Sequence, residues 1–370
     1  MTANGYGEKF FFMSFGESHG KCIGAVVDGC PAGLYLTEQD VQKELDLRKP
    51  GTSIVTTQRR EEDKVEILSG VFNNFTTGAP IAMMIRNSDK DPSTYEEIRT
   101  KPRPGHADFT ARVKYGGYND WRGGGRFSGR ITASFVMAGA VAKKLLNETL
   151  GIEIIAFTKE LGGIRINEVN LEEARTNRYT NEVRCPDKDT AEEMKKRIVQ
   201  TRGEGDSLGG IIECIVLNLP VGIGEPVFSS IDSEIAKMML SIPAAKGVEF
   251  GRGFEAARIK GSENNDEFYV DNGIIRTKTN NSGGVLGGLS NGMPFIFRVA
   301  FKPAASIAAT QRTIDIETNE AVELRVAGRH DPSVVPRAVP VVENATAIVL
   351  ADLALRAGFI PPVLKGKGKE

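Results

Sequence analysis

The chain has 370 residues, of which 40% are hydrophobic and 26% are charged. Its 47 basic residues nearly balance 48 acidic ones, for a net charge of −1, so attraction of the whole surface to nucleic acid or to an anionic membrane is not expected. No apolar run is long enough to span a membrane, and no secretory signal opens the sequence. The four cysteines lack the paired spacing of a metal site. We therefore expect a soluble, cytoplasmic protein without a bound metal.

The N-terminal half is predicted to contain both strands and helices. Strands are expected at KCIGAVVDG, KVEILSG and PIAMMIRN, which are apolar runs between turn residues. Between the first two, LTEQDVQKELDLRKPG predicts a helix with Thr37 as N-cap and Pro50-Gly51 as its stop. Farther along, ITASFVMAGAVAKKLLNETLG is apolar on most sides, which predicts a helix buried between layers.

The C-terminal half is predicted to contain the same mixture. Strands are expected at IEIIAF, GIIECIVLNL, EFYVDNGIIRT and PFIFRVAFK. The second of these alternates poorly, which is typical of a strand covered on both faces. Helices are expected at TAEEMKKRIVQTRGEGD, SSIDSEIAKMMLSI and ENATAIVLADLALRAG, the last being strongly apolar and closed by Gly358.

Two segments of the chain resemble each other. SGVFNNFTTGAPIAMMI (69–85) aligns without gaps on GGVLGGLSNGMPFIFRV (283–299), with two glycines, a valine and a proline at identical spacing. A second similarity upstream needs a different offset, so chance is the alternative to an internal duplication. A duplication predicts one domain, 1–370, with two related halves of roughly 1–150 and 200–360, each contributing a sheet, and apolar helices between them. A short flexible tail is expected at 364–370.

A basic zone extends from Arg99 to Arg130, with eight basic residues against two acidic ones. In a neutral protein this favours a small anionic ligand, although a solvated face is the alternative. Within the zone, GGGRFSGRITASF places three glycines, Arg126, Ser128 and Arg130 where a helix begins. It lacks the spacing of a Walker loop, yet free N–H groups at a helix start attract anions. A glycine-rich turn with a surface arginine is the other interpretation.

The three histidines, His19, His106 and His330, all lie in loops bordered by glycine or proline. Histidine exchanges a proton near cellular pH, and loops often carry function. A hydrogen-bonded structural role is the alternative for each. Next to His330, Asp331 lies between Arg329 and Arg337, which also fits an Asx turn with an arginine partner. By contrast, GRGFEA (251–256) matches a dinucleotide pattern without the strand and helix that give the pattern its meaning.

Taken together, the histidine segments resemble a known family. GESHGKCIGAVVDGCP, GRFSGRITASFVMAGAV and GRHDPSVVPRAVPVVENA resemble the three signature regions of the chorismate synthases, and blocks such as RPGHADFT, EGDSLGG and GGVLGGLSNG resemble the segments between them. The resemblance covers the chain from about Phe15 to Leu355. It implies an α+β fold, a layered β-α-β sandwich with apolar helices packed between antiparallel sheets, assembled as a homotetramer (a dimer of dimers).

The same resemblance implies the activity of a lyase. The family converts 5-enolpyruvylshikimate 3-phosphate to chorismate and phosphate by 1,4-anti elimination, in the shikimate pathway of aromatic amino acid biosynthesis. It requires reduced FMN without net redox change, so NAD(P)H takes part only indirectly, as reductant. The length shows no added reductase domain, and an external flavin reductase is therefore the expected partner.

The resemblance also implies site residues. His19 matches the histidine that protonates the leaving phosphate, His106 the one that protonates reduced flavin near N1, and Asp331 the carboxylate that works with flavin N5 in removing the C6 proton. Positions matched to substrate binding are Ser18, Arg48, Arg103, Arg130 and Arg329. Positions matched to the flavin are Arg126, Phe127, Ser128, Gly287, Lys302, Pro303, Ala304, Ala305, Ser306 and Arg329. Two departures from the family pattern, Ile54 and Pro243, are expected to affect ligand affinity only.

Two other functions compete with this interpretation. A flavin- or nicotinamide-dependent oxidoreductase could use the same anion-binding pocket, but GRGFEA is the only support for a nicotinamide site. An RNA-binding protein could use the Arg/Gly segment with Tyr115, Tyr118, Trp121 and Phe127. The protein is not basic overall, which disfavours nucleic acid.

Overall fold

The N-terminal half forms the first of two sheets. The computed structural model describes residues 3–49, 63–87, 96–326 and 331–365. The strands of this half are β1 (Gly5–Tyr6), β2 (Phe11–Gly16), β3 (Cys22–Asp28), β4 (Val65–Ile67), β5 (Val71–Phe72), β6 (Phe75–Thr76) and β7 (Ile81–Arg86). Five of them form an antiparallel sheet in the order β1-β2-β3-β7-β4, and β5 pairs with β6 as a hairpin. The three strands predicted here are confirmed, whereas β1, β2 and the hairpin were not predicted.

The C-terminal half forms the second sheet. Its strands are β8 (Glu153–Leu161), β9 (Ile164–Arg165), β10 (Gly210–Leu217), β11 (Ala245–Phe250), β12 (Phe268–Asp271), β13 (Ile274–Thr277), β14 (Val285–Leu286), β15 (Leu289–Ser290), β16 (Phe295–Phe301), β17 (Gln311–Asp315) and β18 (Glu320–Leu324). The sheet order is β11-β16-β10-β8-β9, antiparallel throughout, and the other strands pair in three hairpins. The central residues of β10 are buried, which confirms a strand covered on both faces.

Helices fill the space between the sheets. The described helices are α1 (Glu38–Arg48), α2 (Asp108–Lys114), α3 (Thr132–Leu150), α4 (Leu171–Asn177), α5 (Lys188–Gly203), α6 (Ile231–Leu240), α7 (Gly261–Asn264) and α8 (Val335–Arg356). Helix α3 packs on β2 and β3, and α8 packs on β8 and β10; α1 contacts both of these helices, and α6 contacts α8. The predicted layered β-α-β sandwich of the α+β class is confirmed.

The close crossing of α3 and α8 explains the small residues of α3. A Cβ added at Gly139 would lie 2.3 Å from the Cβ of Asn344, so only glycine lets the two helices approach this closely. Helix α8 is 22 residues long, and an 18-residue window within it has a mean hydropathy of 1.6, which is apolar enough for a membrane span. However, 94% of that window is buried inside the protein. Its apolar surface is thus used in the core.

The helix boundaries were predicted well at one position and less well at another. Thr37 caps α1, and its side chain and that of Asp40 form a capping box, as predicted. Helix α8 begins at Val335, eight residues before the predicted segment starting at Glu343. Pro336 lies in its first turn, where the missing N–H has no intrahelical acceptor. Pro340 lies inside the helix. The proline-containing segment 335–342, which was not predicted to be helical, therefore belongs to α8.

The two halves share an order of elements. The hairpin β5–β6 followed by β7 corresponds, at the predicted offset, to the hairpin β14–β15 followed by β16. In each sheet that last strand lies beside an earlier one, β7 beside β3 and β16 beside β10. This correspondence is what an internal duplication predicts. Of the predicted flexible tail, only residues 364–365 are described, and Leu364 donates a main-chain hydrogen bond to Ala32.

A fully buried carboxylate joins the helix layer to the second sheet. Glu343 accepts hydrogen bonds from Lys143 at 3.1 Å, Arg178 at 3.0 Å, Tyr179 at 3.1 Å and the main-chain N–H of Ala156 at 2.9 Å. Burial alone would raise the pKa of Glu343, but Lys143 and Arg178 outweigh burial and hold that pKa below its usual value. Glu343 is therefore ionised in the core.

We expect Glu343→Ala to lower the free energy of unfolding by about 3–5 kcal/mol, because breaking a buried ion pair leaves charge uncompensated. Because the pKa of Glu343 is depressed, its contribution is present at neutral pH and is lost as the pH falls below about 4.3. Urea unfolding at pH 7 and pH 4 measures both effects. The matched control is Glu153→Ala, which removes the half-exposed partner of Arg175. Equal losses in the two variants would contradict the prediction.

Candidate active site

Most of the predicted site residues line one cavity of about 600 Å³, a size typical of small-molecule sites. The predicted residues in its wall are Ser18, Arg48, Arg103, His106, Arg126, Phe127, Ser128, Arg130, Lys302, Pro303, Ala304, Ala305, Ser306 and Asp331. They come from loops and helix ends of both halves. The fold thus brings together segments that are far apart in the sequence.

Two long helices, α3 and α8, begin at this cavity. Residues 129–132 and Val334, Arg337 and Ala338 lie in the wall. Neither helix has an acidic residue in its first turn. The first N–H groups of a helix lack intrahelical acceptors and carry partial positive charge. Both helix starts therefore add to the attraction that the arginines exert on an anion.

One buried carboxylate holds two of the predicted substrate arginines. The Asp63 side chain is fully buried, with Oδ2 3.3 Å from Arg48 Nη1 and Oδ1 2.9 Å from Arg130 Nη1. Arg48 Nε also donates to Thr132 Oγ1 at 3.0 Å, and Arg130 Nε donates to Asn87 Oδ1 at 2.8 Å. Asp63 has a φ of +47°, which is uncommon outside glycine. These contacts fix the spacing of the two guanidinium groups.

A second carboxylate holds Arg103. Asp108 accepts from Arg103 Nε and Nη2, both at 2.8 Å, and Arg103 Nη1 donates to Ser306 Oγ at 2.9 Å. Burial would raise the pKa of Asp108, but hydrogen bonds from Arg103 and His106 outweigh it, so that pKa lies well below its usual value. Arg103 thereby connects the loop before α2 to the segment 302–306.

His19 lies behind the cavity wall rather than in the lining. Its side chain is buried, and its Nδ1 is 3.3 Å from the Oγ of Ser18, which does line the cavity. Gly123 lies at the same edge of the ring, because a Cβ added there would be 2.1 Å from Nδ1 and 2.9 Å from Ser18 Oγ. Ser18 and Gly123 are therefore the wall residues between His19 and the cavity.

Gly123→Ala is expected to lower both stability and turnover. Gly123 has a φ of +58°, so alanine costs about 1–2 kcal/mol from conformation alone, and the clash displaces His19. Gly117→Ala is the matched control, because Gly117 has a φ of +81° and no atom within 4 Å of an added Cβ. Urea unfolding and steady-state kinetics compare the two. Turnover reduced equally in both variants would show that the contact with His19 is irrelevant.

Asp331 lies in the cavity wall and forms an ion pair with Arg337. Arg337 also donates from Nε to the main-chain oxygen of Arg48 at 3.3 Å. The first turn of α8 is thereby linked to the C-terminal end of α1. The sequence placed Asp331 and Arg337 near each other, and the structure shows that the two side chains pair.

The predicted flavin residues that line the cavity come from two segments, 126–128 and 302–306. Arg126 donates to the main-chain oxygen of Gly16 at 2.9 Å and to Ser14 Oγ at 3.1 Å, so it fixes its glycine-rich loop to β2. Lys302 donates to the main-chain oxygen of Gly105. Burial, together with the nearby charge of Lys246, lowers the pKa of Lys302.

Some predicted residues lie elsewhere. Gly287 is in the β14–β15 turn, beside the start of α6, whereas Leu240 at the other end of α6 lines the cavity. At 1.5 Å per residue, these ends of a ten-residue helix are about 15 Å apart. Arg329, His330 and the departure Ile54 lie outside the described residues. Pro243, the other departure, lines the cavity.

Sequence reasoning missed three charged residues of the site. Lys246 lines the cavity, while Asp63 and Asp108 hold its arginines. Asp63 lies in the charged run RREEDK (59–64), a pattern that is typical of a solvated surface. Asp108 follows His106 by two residues, and that spacing was the one available signal for its role.

Comparison with known proteins gives one consistent result. Residues 10–355 match the family model described as chorismate synthase. A chorismate synthase of Korarchaeum cryptofilum is 58% identical over 95% of this chain and 97% of its own length. One of Dehalococcoides mccartyi is 56% identical over 98% of this chain and 100% of its own length. The solved structure titled "Crystal Structure of Chorismate Synthase" is similar, with a TM-score of 0.75, 35% identity, and coverage of 95% of this chain and 93% of that one. The chain belongs to the chorismate synthase family.

Proposed function

We propose that this protein eliminates phosphate from 5-enolpyruvylshikimate 3-phosphate in a 1,4-anti sense, giving chorismate, with reduced FMN and no net redox change. Family membership supports the proposal. The single observation that carries it is the cavity in which Arg48, Arg103 and Arg130 converge with the starts of two helices. The proposed setting is cytoplasmic aromatic amino acid biosynthesis.

The charge of this cavity suits a substrate with one phosphate and two carboxylates. Arginine offers a planar pair of donors that binds such groups bidentately. Arg48, Arg103 and Arg130 are almost fully buried, so their guanidinium groups are presented in a low-dielectric wall where charge pairing is strong. Their carboxylate partners Asp63 and Asp108 keep them in place before substrate arrives.

The cavity also fits a flavin mononucleotide. Phe127, Ile242 and Val341 provide apolar surface for a ring system, and Lys246 and Lys302 provide charge for a phosphate. We assign the flavin contacts to the loop 126–128 and to the segment 302–306. Bound reduced flavin supplies electron density that makes the hydrogen at C6 of the substrate removable, a step that side chains alone perform poorly.

The proton-handling residues surround this cavity. His19, behind Ser18, is assigned to protonate the departing phosphate, which arginines stabilise as its charge develops. His106 is assigned to donate a proton on the flavin side of the cavity. Asp331 is assigned to work with the bound flavin in removing the proton from C6, and its pairing with Arg337 holds the carboxylate at the cavity.

Phosphate release tests the reaction against its main alternative. Protein and FMN, reduced with stoichiometric dithionite so that no reductant is left over, are mixed anaerobically with excess substrate, while phosphate, chorismate and flavin absorbance are recorded. The proposal predicts many turnovers of phosphate and chorismate with the flavin reduced at the end. Oxidation of one flavin per product would instead identify an oxidoreductase.

The source of electrons is a separate question. We propose that an external reductase or free reduced flavin supplies FMNH2, since the strands and helices described in this chain form a single sandwich. Purified protein with FMN is mixed anaerobically with NAD(P)H, and absorbance at the nicotinamide band is followed. Slow or absent oxidation is expected, whereas rapid oxidation by the protein alone would contradict the proposal.

We also propose a homotetramer, because large apolar side chains remain exposed in the C-terminal half. Phe228 is 91%, Phe254 76% and Val270 70% exposed in the single chain, and exposed apolar surface of this kind marks interfaces. Light scattering after size exclusion is expected to show four copies of the 40.1 kDa chain, and Phe228→Asp is expected to favour smaller species. A monomer at micromolar concentration would contradict assembly.

A further inference from the structure

The carboxylate of Asp108 contacts His106 as well as Arg103. Asp108 Oδ1 lies 2.6 Å from His106 Nδ1, and the two side chains are 10% and 18% exposed. The same carboxylate group accepts from Arg103 Nε, Arg103 Nη2 and the main-chain N–H of Arg103. Asp108 is therefore a fixed acceptor whose position does not depend on the histidine.

Arg103 does not compete for the in-plane position at Nδ1. Its Nη2 lies 3.0 Å from Nδ1 and 3.3 Å from Nε2 of His106. A donor in line with one lone pair would be much farther from the other nitrogen, so the guanidinium lies over the ring. The guanidinium therefore does not occupy the in-plane direction at Nδ1, and the carboxylate at 2.6 Å, which can only accept a hydrogen bond, lies closer to that nitrogen than Arg103 does.

The opposite edge of the ring faces a glycine. A Cβ at Gly124 would lie 3.0 Å from His106 Cε1 and 3.2 Å from Nε2. Because Gly124, with a φ of +81°, has no side chain, no Cβ crowds the Cε1–Nε2 edge. Nε2 is the ring nitrogen that does not contact Asp108, and it lies beside Gly124, which has no side chain.

We propose that Asp108 is a positioning residue that accepts the Nδ1 hydrogen of His106 and thereby fixes Nε2 as the nitrogen that exchanges protons. This rests on the proposed role of His106. The carboxylate stabilises the imidazolium, and it neutralises the Arg103 guanidinium over the ring, which alone would oppose protonation. Other charged groups around His106 are Lys302, bonded to Gly105, and Arg99, Arg112, Asp120 and Glu317, which border a smaller cavity that His106 also lines.

A double-mutant cycle separates positioning from a merely structural role. Asp108→Asn keeps the size of the side chain and is expected to lower kcat at least about 10-fold. In the His106→Ala background the same change is expected to lower kcat less than 2-fold, because the residue through which Asp108 acts is absent. Glu97→Gln, which alters an exposed carboxylate 2.7 Å from Lys101, is the control and is expected to retain wild-type kcat. Equal losses in both backgrounds would overturn the proposal.

A measurement independent of turnover completes the test. Hydrogen–deuterium exchange at the imidazole C2 position, followed by mass spectrometry across pH, reports when each of the three histidines is protonated. The exchange midpoint of His106 is expected to move to lower pH in Asp108→Asn and to stay unchanged in Glu97→Gln. An unchanged midpoint in Asp108→Asn would overturn the pairing. A shifted midpoint in a protein that makes no chorismate would refute the proposed function while leaving the pairing intact.

Discussion

Replacing His106 with alanine is expected to lower kcat about 10²–10⁴-fold, the usual contribution of general acid–base catalysis. Substrate affinity is expected to change little, because Arg103 keeps its two bonds to Asp108 and its bond to Ser306. Single-turnover kinetics with reduced FMN, together with a substrate titration on oxidised FMN, measure the two quantities separately.

The control for this variant is Phe109→Ala, in the same helix α2. Phe109 is 50% exposed and has been assigned no role, so its removal is expected to leave kcat unchanged. Wild-type turnover in His106→Ala would remove His106 from the chemistry. A loss of substrate affinity that accounts for the whole defect would make His106 a binding residue.

Asp63→Ala is expected to be the most damaging change in the site. It removes the counter-charge shared by Arg48 and Arg130, and losing one partner of a buried pair costs about 3–5 kcal/mol. Alanine also tolerates the positive φ of Asp63 poorly. We expect the free energy of unfolding to fall by several kcal/mol, and substrate affinity to fall because the two arginines lose their fixed spacing. Urea unfolding and a substrate titration test the two effects.

Two variants make this result interpretable. Asp63→Asn keeps the shape and tolerates the positive φ, so it isolates the loss of charge and is expected to show most of the affinity defect. Glu66→Gln removes the partner of Arg86 in a solvent-exposed pair on β4, and little change is expected there. A substrate affinity in Asp63→Asn equal to that of the wild type would show that the shared carboxylate does not organise the arginines.

This result also bears on Arg48. Sequence reasoning treats Arg48 as a substrate ligand, so that Arg48→Ala chiefly weakens binding. The structure shows Arg48 almost fully buried and bonded to Asp63, Thr132 and the main-chain oxygen of Gly129. We therefore expect Arg48→Ala to destabilise the fold as well as to weaken binding. Comparing the unfolding free energy of Arg48→Ala with that of Asp63→Asn would show how much of the stability loss in each variant comes from the Arg48–Asp63 pair.

The parts of the fold that could be predicted depend on local physics. The capping box at Thr37 and the strand β7 follow from neighbouring residues. The repeat at 69–85 and 283–299 requires positive-φ glycines at matched positions, and Gly70 and Gly284 both adopt that conformation. These features depend on residues that are close together in the chain, so they can be predicted from the sequence.

The parts that could not be predicted depend on packing. Edge strand β11 contains Lys246 and Gly247, which carry little strand signal. Asp63 lies in a charged run, and only the packing of β4 on α1, which itself packs on α3, brings it to Arg48 and Arg130. Gly287 was assigned by resemblance alone, and no local feature of the sequence could show that its hairpin lies at the far end of α6.

A crystal structure with oxidised FMN and 5-enolpyruvylshikimate 3-phosphate both bound is the most direct test. It is expected to show the two molecules in contact inside the cavity that Arg103, Arg130 and Lys302 line, with the substrate's acidic groups on the arginines. Either molecule bound at a separate site, out of contact with the other, would contradict the account.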